Sequence, residues 1–291
     1  MVEIEDTFCE AFDGLFSRII ITAKDHKRLQ KAAVGATALP STVFNKSEGG
    51  IEQWLSEKET PDGRIGAIVQ IWVSYGKNAL NNLENELGWR LRQGVLVVPT
   101  TSVFNALDSD KKINIMAKVG HCGDGYEELE NRYRREVIKI PIMMGEFIIE
   151  HFLGYAKGIM GGNVWFFCTT EEAALEAGDK AVEAVGKIGG AITSFDICAA
   201  GSKIETKYPE IGPTTNHPFC PTLRDKIKDS KVPEGVVSIP EIVINGMSLN
   251  IVKNAMGAAI DSVKNVNGVV KISAGNYGGK LGRYKIYLRE I

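Results

Sequence analysis

The 291 residues carry 34 Lys and Arg against 36 Asp and Glu, a formal charge of −2, with 44% hydrophobic and 24% charged residues. That balance supplies a core for about two domains and lacks the basic excess a nucleic-acid partner requires. The acidic opening Met1-Val2-Glu3-Ile4-Glu5-Asp6 has no signal-peptide core, and the longest apolar stretch, Ile140 to Ile149, is short and broken by Gly145 and Glu146. A soluble cytoplasmic protein with no nucleic-acid and no membrane partner is expected.

Hydrophobic periodicity sets out one pattern repeatedly. Arg18 to Thr22 reads as a strand, and Leu29, Ala32, Ala33 and Ala36 recur at helical spacing. Pro40 stops that helix, and Thr42 to Phe44 reads as the next strand. Ile65 to Val73 is a strand-like run, followed by a helical stripe of Leu80, Leu83, Leu87 and Leu91. Gly94 then introduces Val95 to Val98 as a β-branched strand.

The second half repeats the order. Val164 to Phe167 is a strand, Thr169 an N-cap with Glu172 completing a capping box, and Ala174, Ala177, Ala181, Val182 and Val185 the buried stripe. Gly189-Gly190 ends the helix, and Ala191 to Phe195 is a strand. Glu241 to Ile244 follows as a strand, turning at Asn245-Gly246. Ser248 caps a helix whose core face is Val252, Ala255, Met256, Ala259 and Val263, and Val269 to Ser273 closes the unit.

Each half is therefore β-α-β-β-α-β, the split βαβ or ferredoxin-like order. The fold class is α+β: two ferredoxin-like lobes with antiparallel sheets, helices on one face and long loop insertions. The halves join in the glycine-spaced segment 145–162, giving lobes over 1–145 and 146–291. The insertions fall at 46–64, around the turn Pro61-Asp62-Gly63, and at 196–239, which is rich in Pro, Thr, Lys and Gly. Long insertions of this kind often carry function.

Five cysteines (9, 122, 168, 198, 220) with no CxxC point to neither a disulfide framework nor a zinc knuckle. The four histidines lack ligand spacing, so no metal is expected. Arg132-Tyr133-Arg134-Arg135 follows the acidic 127–130 segment and reads as a solvated face. The segment Gly275-Asn276-Tyr277-Gly278-Gly279-Lys280-Leu281-Gly282 follows a strand. Its amides suit an anion, with Lys280 as counter-charge, and it equally suits a tight turn between strands. Gly161-Gly162-Asn163 and Gly123-Asp124-Gly125 are close-approach glycines or plain turns. Gly201-Ser202-Lys203 offers amides, a hydroxyl and an ammonium to a carboxylate or phosphate. Glu241 opens an apolar run; drawn into it, its neutral form is favoured and can donate to a developing oxyanion. Left at the strand end, it is an ordinary exposed glutamate.

Strings spread along the whole chain resemble the formylmethanofuran:tetrahydromethanopterin formyltransferases. They include Val2-Glu3-Ile4-Glu5-Asp6-Thr7-Phe8, Glu59-Thr60-Pro61-Asp62-Gly63-Arg64, Pro99-Thr100-Thr101, Gly145-Glu146-Phe147, Glu241 to Gly246 and Val270 to Gly282. The resemblance implies two ferredoxin-like lobes, the first called proximal and the second distal, in a homo-oligomer built as a dimer of dimers. It also implies formyl transfer through a ternary complex, without a covalent intermediate or a tightly bound cofactor. The coenzyme substrates would be the polyanionic C1 carriers formylmethanofuran and tetrahydromethanopterin. Glu241 carries over as the catalytic acid. Gly161, Gly162, Asn163, Gly123, Asp124, Ser202, Lys203, Asn276 and Lys280 carry over as substrate contacts.

The chain departs from the family where loops matter. Ser194 to Ala200 replaces a glycine-containing segment, Ala38-Leu39-Pro40 replaces a glycine loop, His121-Cys122 replaces two aromatics, and Met144 replaces an acid. These departures keep open a second function, a non-catalytic formyltransferase-like accessory or sensor that binds C1 carriers or a partner complex.

Overall fold

The computed structural model describes residues 2–38 and 47–291; the expected strand at Thr42–Phe44, the stop at Pro40 and part of the 38–40 departure lie outside them. In chain order the elements begin β1 (Glu3–Ile4), β2 (Phe8–Thr22), α1 (His26–Thr37), β3 (Ser47–Leu55), β4 (Gly66–Ser74), α2 (Ala79–Arg90), β5 (Ser102–Asn105) and β6 (Lys112–Asn114). They continue β7 (Glu128–Arg132), β8 (Arg135–Ile142), β9 (Gly145–Glu150), β10 (Phe152–Cys168), α3 (Glu171–Gly186), β11 (Ala191–Thr193), β12 (Glu241–Gly246), α4 (Leu249–Val263), β13 (Val269–Ser273) and β14 (Tyr284–Tyr287). Two compact units result. One is Gly14–Gly158; the other combines the residues up to Asp13 with Ile159–Ile291.

This division differs from the boundary read at 145/146. The first 13 residues join the C-terminal unit because β1 pairs in parallel with β13, Glu3 opposite Lys271, and the start of β2 pairs with β14, Ala11 opposite Tyr284. Backbone pairing over long sequence separation outranks chain order here.

In the Gly14–Gly158 unit, β2 lies between β4 and β5, and β3 pairs with β4. The order β5-β2-β4-β3 is antiparallel throughout, which is the split βαβ arrangement. The hairpins β7–β8 and β8–β9 extend it, with β9 parallel to β5. Asp25 caps α1 by accepting from the Arg28 amide at 3.0 Å, and the small face Ala32, Ala33 and Ala36 lets α1 lie close on the sheet. The other unit repeats the order as β13-β10-β12-β11, again antiparallel. Helices α3 and α4 cover one face through Ala174, Ala177, Ala181, Val252, Ala255 and Met256, closing a core with Val164, Phe166, Ile242 and Ile272. Strand alternation sends Trp165 and Phe167 to the opposite face, where they meet Val232 and Val236 of the 196–239 segment.

Four local expectations are corrected. Residues 47–55, expected within an insertion, form β3; Gly49 approaches the Thr37 backbone so closely that a Cβ would sit 3.1 Å from its Cα. Val95 to Val98 is no strand: α2 runs on into a π-helical turn over Leu91–Leu96, because Gly94 abuts Gly35 of α1, where a Cβ would lie 2.6 Å from the Gly35 carbonyl carbon. The cap of α3 is Thr170, accepting from the Ala173 amide at 3.0 Å, one residue after the expected Thr169. Asn245-Gly246 continues β12 rather than turning; the buried Asn245 accepts from the Gly161 amide and donates to Ser194 Oγ.

Candidate active site

Glu241 is the first residue of β12 and stands opposite Trp165 of β10 in register. That places the two side chains on the face away from the helices. The Trp165 indole donates to Glu241 Oε1 at 2.9 Å. On the other side Cys198 closes a two-bond backbone bridge with Glu241, at 2.8 and 2.9 Å, which sets its thiol beside the carboxyl. Burial pushes the Glu241 carboxyl above the ordinary carboxylate range, and the indole and thiol only partly oppose it. Cys198 is pushed up as well, by burial first and by the neighbouring Glu241 second.

Glu241 lines a cleft of about 410 Å³. Its walls include Trp165, Phe219, Ile239 and Pro240, with Ile197, Ala199 and Ala200 from the segment that departs from the family, Gly201 after it, and the polar Glu171, Thr215 and Asn216. Phe219 meets the indole edge-on, ring centroids 4.8 Å apart. A half-buried carboxyl among an indole, a thiol and apolar walls has little water to stabilise its charge, so it is disposed to donate a proton or a hydrogen bond. Two larger hollows, about 720 and 550 Å³, lie in the Gly14–Gly158 unit. Glu150 with Arg135 and Glu136 with His151 are already engaged in the larger, and Glu59, which lines both, accepts from Ser56, so chemistry favours the smaller cleft over size. Among the described residues no group of three or more His, Cys, Asp or Glu side chains is disposed to hold a metal ion, and no helix is long and apolar enough to cross a membrane.

The remaining sequence-derived candidates divide. Gly161 has φ +85° and gives its amide to Asn245 at 3.0 Å. Gly162 packs where a Cβ would lie 2.5 Å from Val252 Cγ1. Asn163 clasps Gly275 from both sides, accepting from its amide at 2.6 Å and donating to its carbonyl at 3.3 Å. These three shape the sheet around Trp165 and do not line the cleft. Ser202 adjoins the cleft wall at Gly201 and neighbours the Tyr277 phenol; Lys203 forms a backbone bridge to Thr214. Gly123 and Asp124 lie in the other unit, in a turn that Glu127 closes by accepting from the Gly125 amide and contacting His121 Nδ1.

The glycine-rich 275–282 loop connects β13 to β14. Its amides do gather around an anion, but the anion belongs to the chain. Buried Glu10 accepts from Tyr277, Leu281 and Gly282 at 3.1, 3.0 and 2.6 Å. Asn276 is likewise engaged internally, donating to Thr7 Oγ1 and the Phe8 carbonyl. Lys280 is exposed. Trp165, Cys198, Tyr277 and Glu10 were not among the sequence candidates. Register and cross-chain contact bring them to the site, and the one available signal was an acid, Glu10, inside the apolar run from Cys9 to Phe12.

Two repeated split βαβ units, one of which sets a half-buried carboxyl at the wall of a cleft, define an α+β protein with one candidate acid site. The family model described as "Formylmethanofuran-tetrahydromethanopterin formyltransferase" matches residues 1–142, and that described as "FTR, proximal lobe" matches residues 145–291. The word proximal thus falls on the C-terminal segment, the reverse of its use in the sequence reading. A relative from Archaeoglobus fulgidus, named a formylmethanofuran–tetrahydromethanopterin formyltransferase-like protein, is 62% identical over 100% of this chain and 96% of its own. The formyltransferase of Methanocaldococcus jannaschii is 44% identical over 100% and 98%. The solved formyltransferase of Methanosarcina barkeri superposes with a TM-score of 0.92 at 42% identity, covering 99% of this chain and 98% of that one. The chain belongs to the formylmethanofuran–tetrahydromethanopterin formyltransferase family.

Proposed function

We propose that this chain transfers a formyl group from the amine of formylmethanofuran to N5 of tetrahydromethanopterin in archaeal one-carbon metabolism. The observation that carries the reading is the Glu241 carboxyl, half-buried and bonded to Trp165 at the wall of a cleft. Attack of N5 on the formyl carbon makes a C–N bond and turns the carbonyl oxygen into an oxyanion. Neutral Glu241 donates a hydrogen bond to that oxygen, an interaction that strengthens as charge develops. Collapse breaks the bond to the methanofuran nitrogen, which takes a proton as N5 loses one. No side chain needs to carry the acyl group, and no tightly bound cofactor enters.

Holding both carriers together supplies much of the acceleration. Ser202 and Lys203 stand beside the wall at Gly201 and suit the anionic groups of a carrier, with exposed Lys280 a second cation. Gly161, Gly162, Asn163 and Asn276 act through backbone shape, and Gly123 with Asp124 offers a turn in the other unit. On this reading the protein is a cytoplasmic homo-oligomer, a dimer of dimers. The test is incubation of the purified protein with both carriers while formyl-tetrahydromethanopterin is followed. Steady product formation supports transfer.

One observation favours a second reading, a carrier-binding accessory protein. Relatives 62% and 61% identical are named formyltransferase-like, whereas those named formyltransferase are 44% identical and below. Saturable carrier binding with no product at high protein concentration would establish that reading and overturn the first.

A further inference from the structure

Glu10 is 1% exposed and sits in strand β2, yet no cation pairs with it among the described residues. A buried carboxylate without a counter-cation costs several kcal/mol unless donors replace the water it has lost. The donors here are backbone amides. Tyr277 binds one oxygen, and Leu281 and Gly282 bind the other. Gly278 and Gly279 take φ +69° and +73°, the left-handed turns that make consecutive amides converge on one point. Gly282 completes the fit, since a Cβ there would lie 2.4 Å from Glu10 Cβ. Burial pushes the Glu10 carboxyl up, the amides of Gly282, Leu281, Gly279 and Tyr277 outweigh it, and the net direction is down.

Two routes run from this cradle to the cleft. Tyr277, its amide fixed by Glu10, leans on Phe12 with ring centroids 6.3 Å apart, and its phenol neighbours the Ser202 side chain. Ser202 follows Gly201, a residue of the cleft wall. At the root of the loop, Gly275 lies flat against the indole that holds Glu241; a Cβ there would be 2.6 Å from Trp165 Cζ2. We propose that Glu10 is a positioning residue of the formyl-transfer cleft: its carboxylate orders the 277–282 loop, and Tyr277 passes that order through Ser202 to the cleft wall at Gly201. The inference rests on the function proposed above, for Glu10 touches no substrate and acts only through Tyr277.

Glu10→Gln keeps size and shape but turns one acceptor oxygen into an amide donor facing N–H groups. Tyr277→Phe leaves the cradle intact and removes the link to Ser202. Amide hydrogen exchange and steady-state kinetics with both carriers are read on each variant and on the double variant. Glu10→Gln is expected to raise exchange roughly tenfold in 277–282 and in 199–203, with kcat/KM down about 10- to 100-fold through misplacement of the wall. Tyr277→Phe is expected to raise exchange in 199–203 alone, and the double variant to lose no more activity than Glu10→Gln. Faster exchange confined to 277–282 with unchanged kinetics, or multiplicative losses in the double variant, would overturn the proposal. Should Glu10→Gln fail to fold, the pair Tyr277→Phe and Ser202→Ala carries the test: equal, non-additive losses support the link and independent losses refute it. A wild-type protein without transfer activity would defeat the function proposed above, while loosening of 199–203 in the variants would still decide the mechanical coupling.

Discussion

Replacing Glu241 by Gln isolates the acid from its geometry. The amide is isosteric, and its oxygen can keep the Trp165 indole donor that now lies 2.9 Å from Oε1. Its NH2 group takes the place of Oε2 and still offers a neutral donor to the oxyanion. Loss of an oxyanion donor costs about 2.7–4 kcal/mol, and a retained neutral hydrogen bond returns about 0.5–1.5 kcal/mol. The net loss is roughly 2–3 kcal/mol, a fall in kcat of about 30- to 150-fold. Glu241→Ala, which also strands the indole N–H, should fall further.

Stability supplies a second, independent readout. The folded carboxyl has its pKa raised by burial, so between the unfolded and folded values the native state binds more protons than the unfolded one. Stability then falls as pH rises through that window. Gln does not titrate. Melting of the variant relative to wild type should therefore improve as pH climbs above the ordinary carboxylate range and level off above the folded value. Turnover of Glu241→Gln within threefold of wild type, or a stability difference that is flat with pH, would refute the neutral-acid reasoning.

Other substitutions test neighbouring parts. The Cys198 thiol opposes the rise in the Glu241 pKa, so Cys198→Ala should move the alkaline limb of the kcat/KM profile to higher pH; a limb moved downward would contradict this. Gly162→Ala forces a methyl to within 2.5 Å of Val252 on α4 and should cost about 1–3 kcal/mol in urea unfolding. Asp62, with a side chain 1% exposed, pairs with Arg64 at 2.5 Å. Arg64→Met leaves that carboxylate buried and unpaired, and a loss of about 3–5 kcal/mol is expected, read as a lower urea midpoint at unchanged slope.

The fold was legible where periodicity and burial coincide. The α3 and α4 stripes were read almost residue for residue, since alanines and valines at helical spacing have no alternative but the sheet. Leu80 shows the limit: it continues the α2 stripe in sequence and is 39% exposed, because a stripe does not say where its partner surface ends. β3 was missed because Ser47-Glu48-Gly49-Gly50 carries no apolar run; pairing with β4 alone makes it a strand. At the site, Glu241 was found because an acid beginning an apolar strand is a local anomaly. Trp165 and Cys198 were not, because their roles follow from register across 76 and 43 positions (241 − 165 and 241 − 198), which composition does not encode. The glycine-rich loop has amides for an anion, but the acid that takes them, Glu10, lies some 270 positions away and no local pattern names it.

The two units show why one of them carries the acid. In the C-terminal unit, Trp165 of the first motif strand pairs with Glu241 on one side and Ser273 on the other. In the Gly14–Gly158 unit the first motif strand ends at Thr22, flanked by Gly66 and Ser102. There Arg64 fills the space, donating to Thr22 Oγ1 and Ser102 Oγ at 2.9 and 2.7 Å, to the Thr100 carbonyl, and to Asp62. Thr100 is held at φ +70°, a conformation a β-branched residue adopts only under constraint. The guanidinium thus turns that position into a closed ion pair with no spare proton to lend. Around Glu241 the same topology supplies an indole and a thiol and, among the described residues, no cation. A carboxyl is kept neutral by the absence of a counter-charge as much as by burial. The two units thus surround their acids differently, with an arginine against Asp62 and an indole against Glu241.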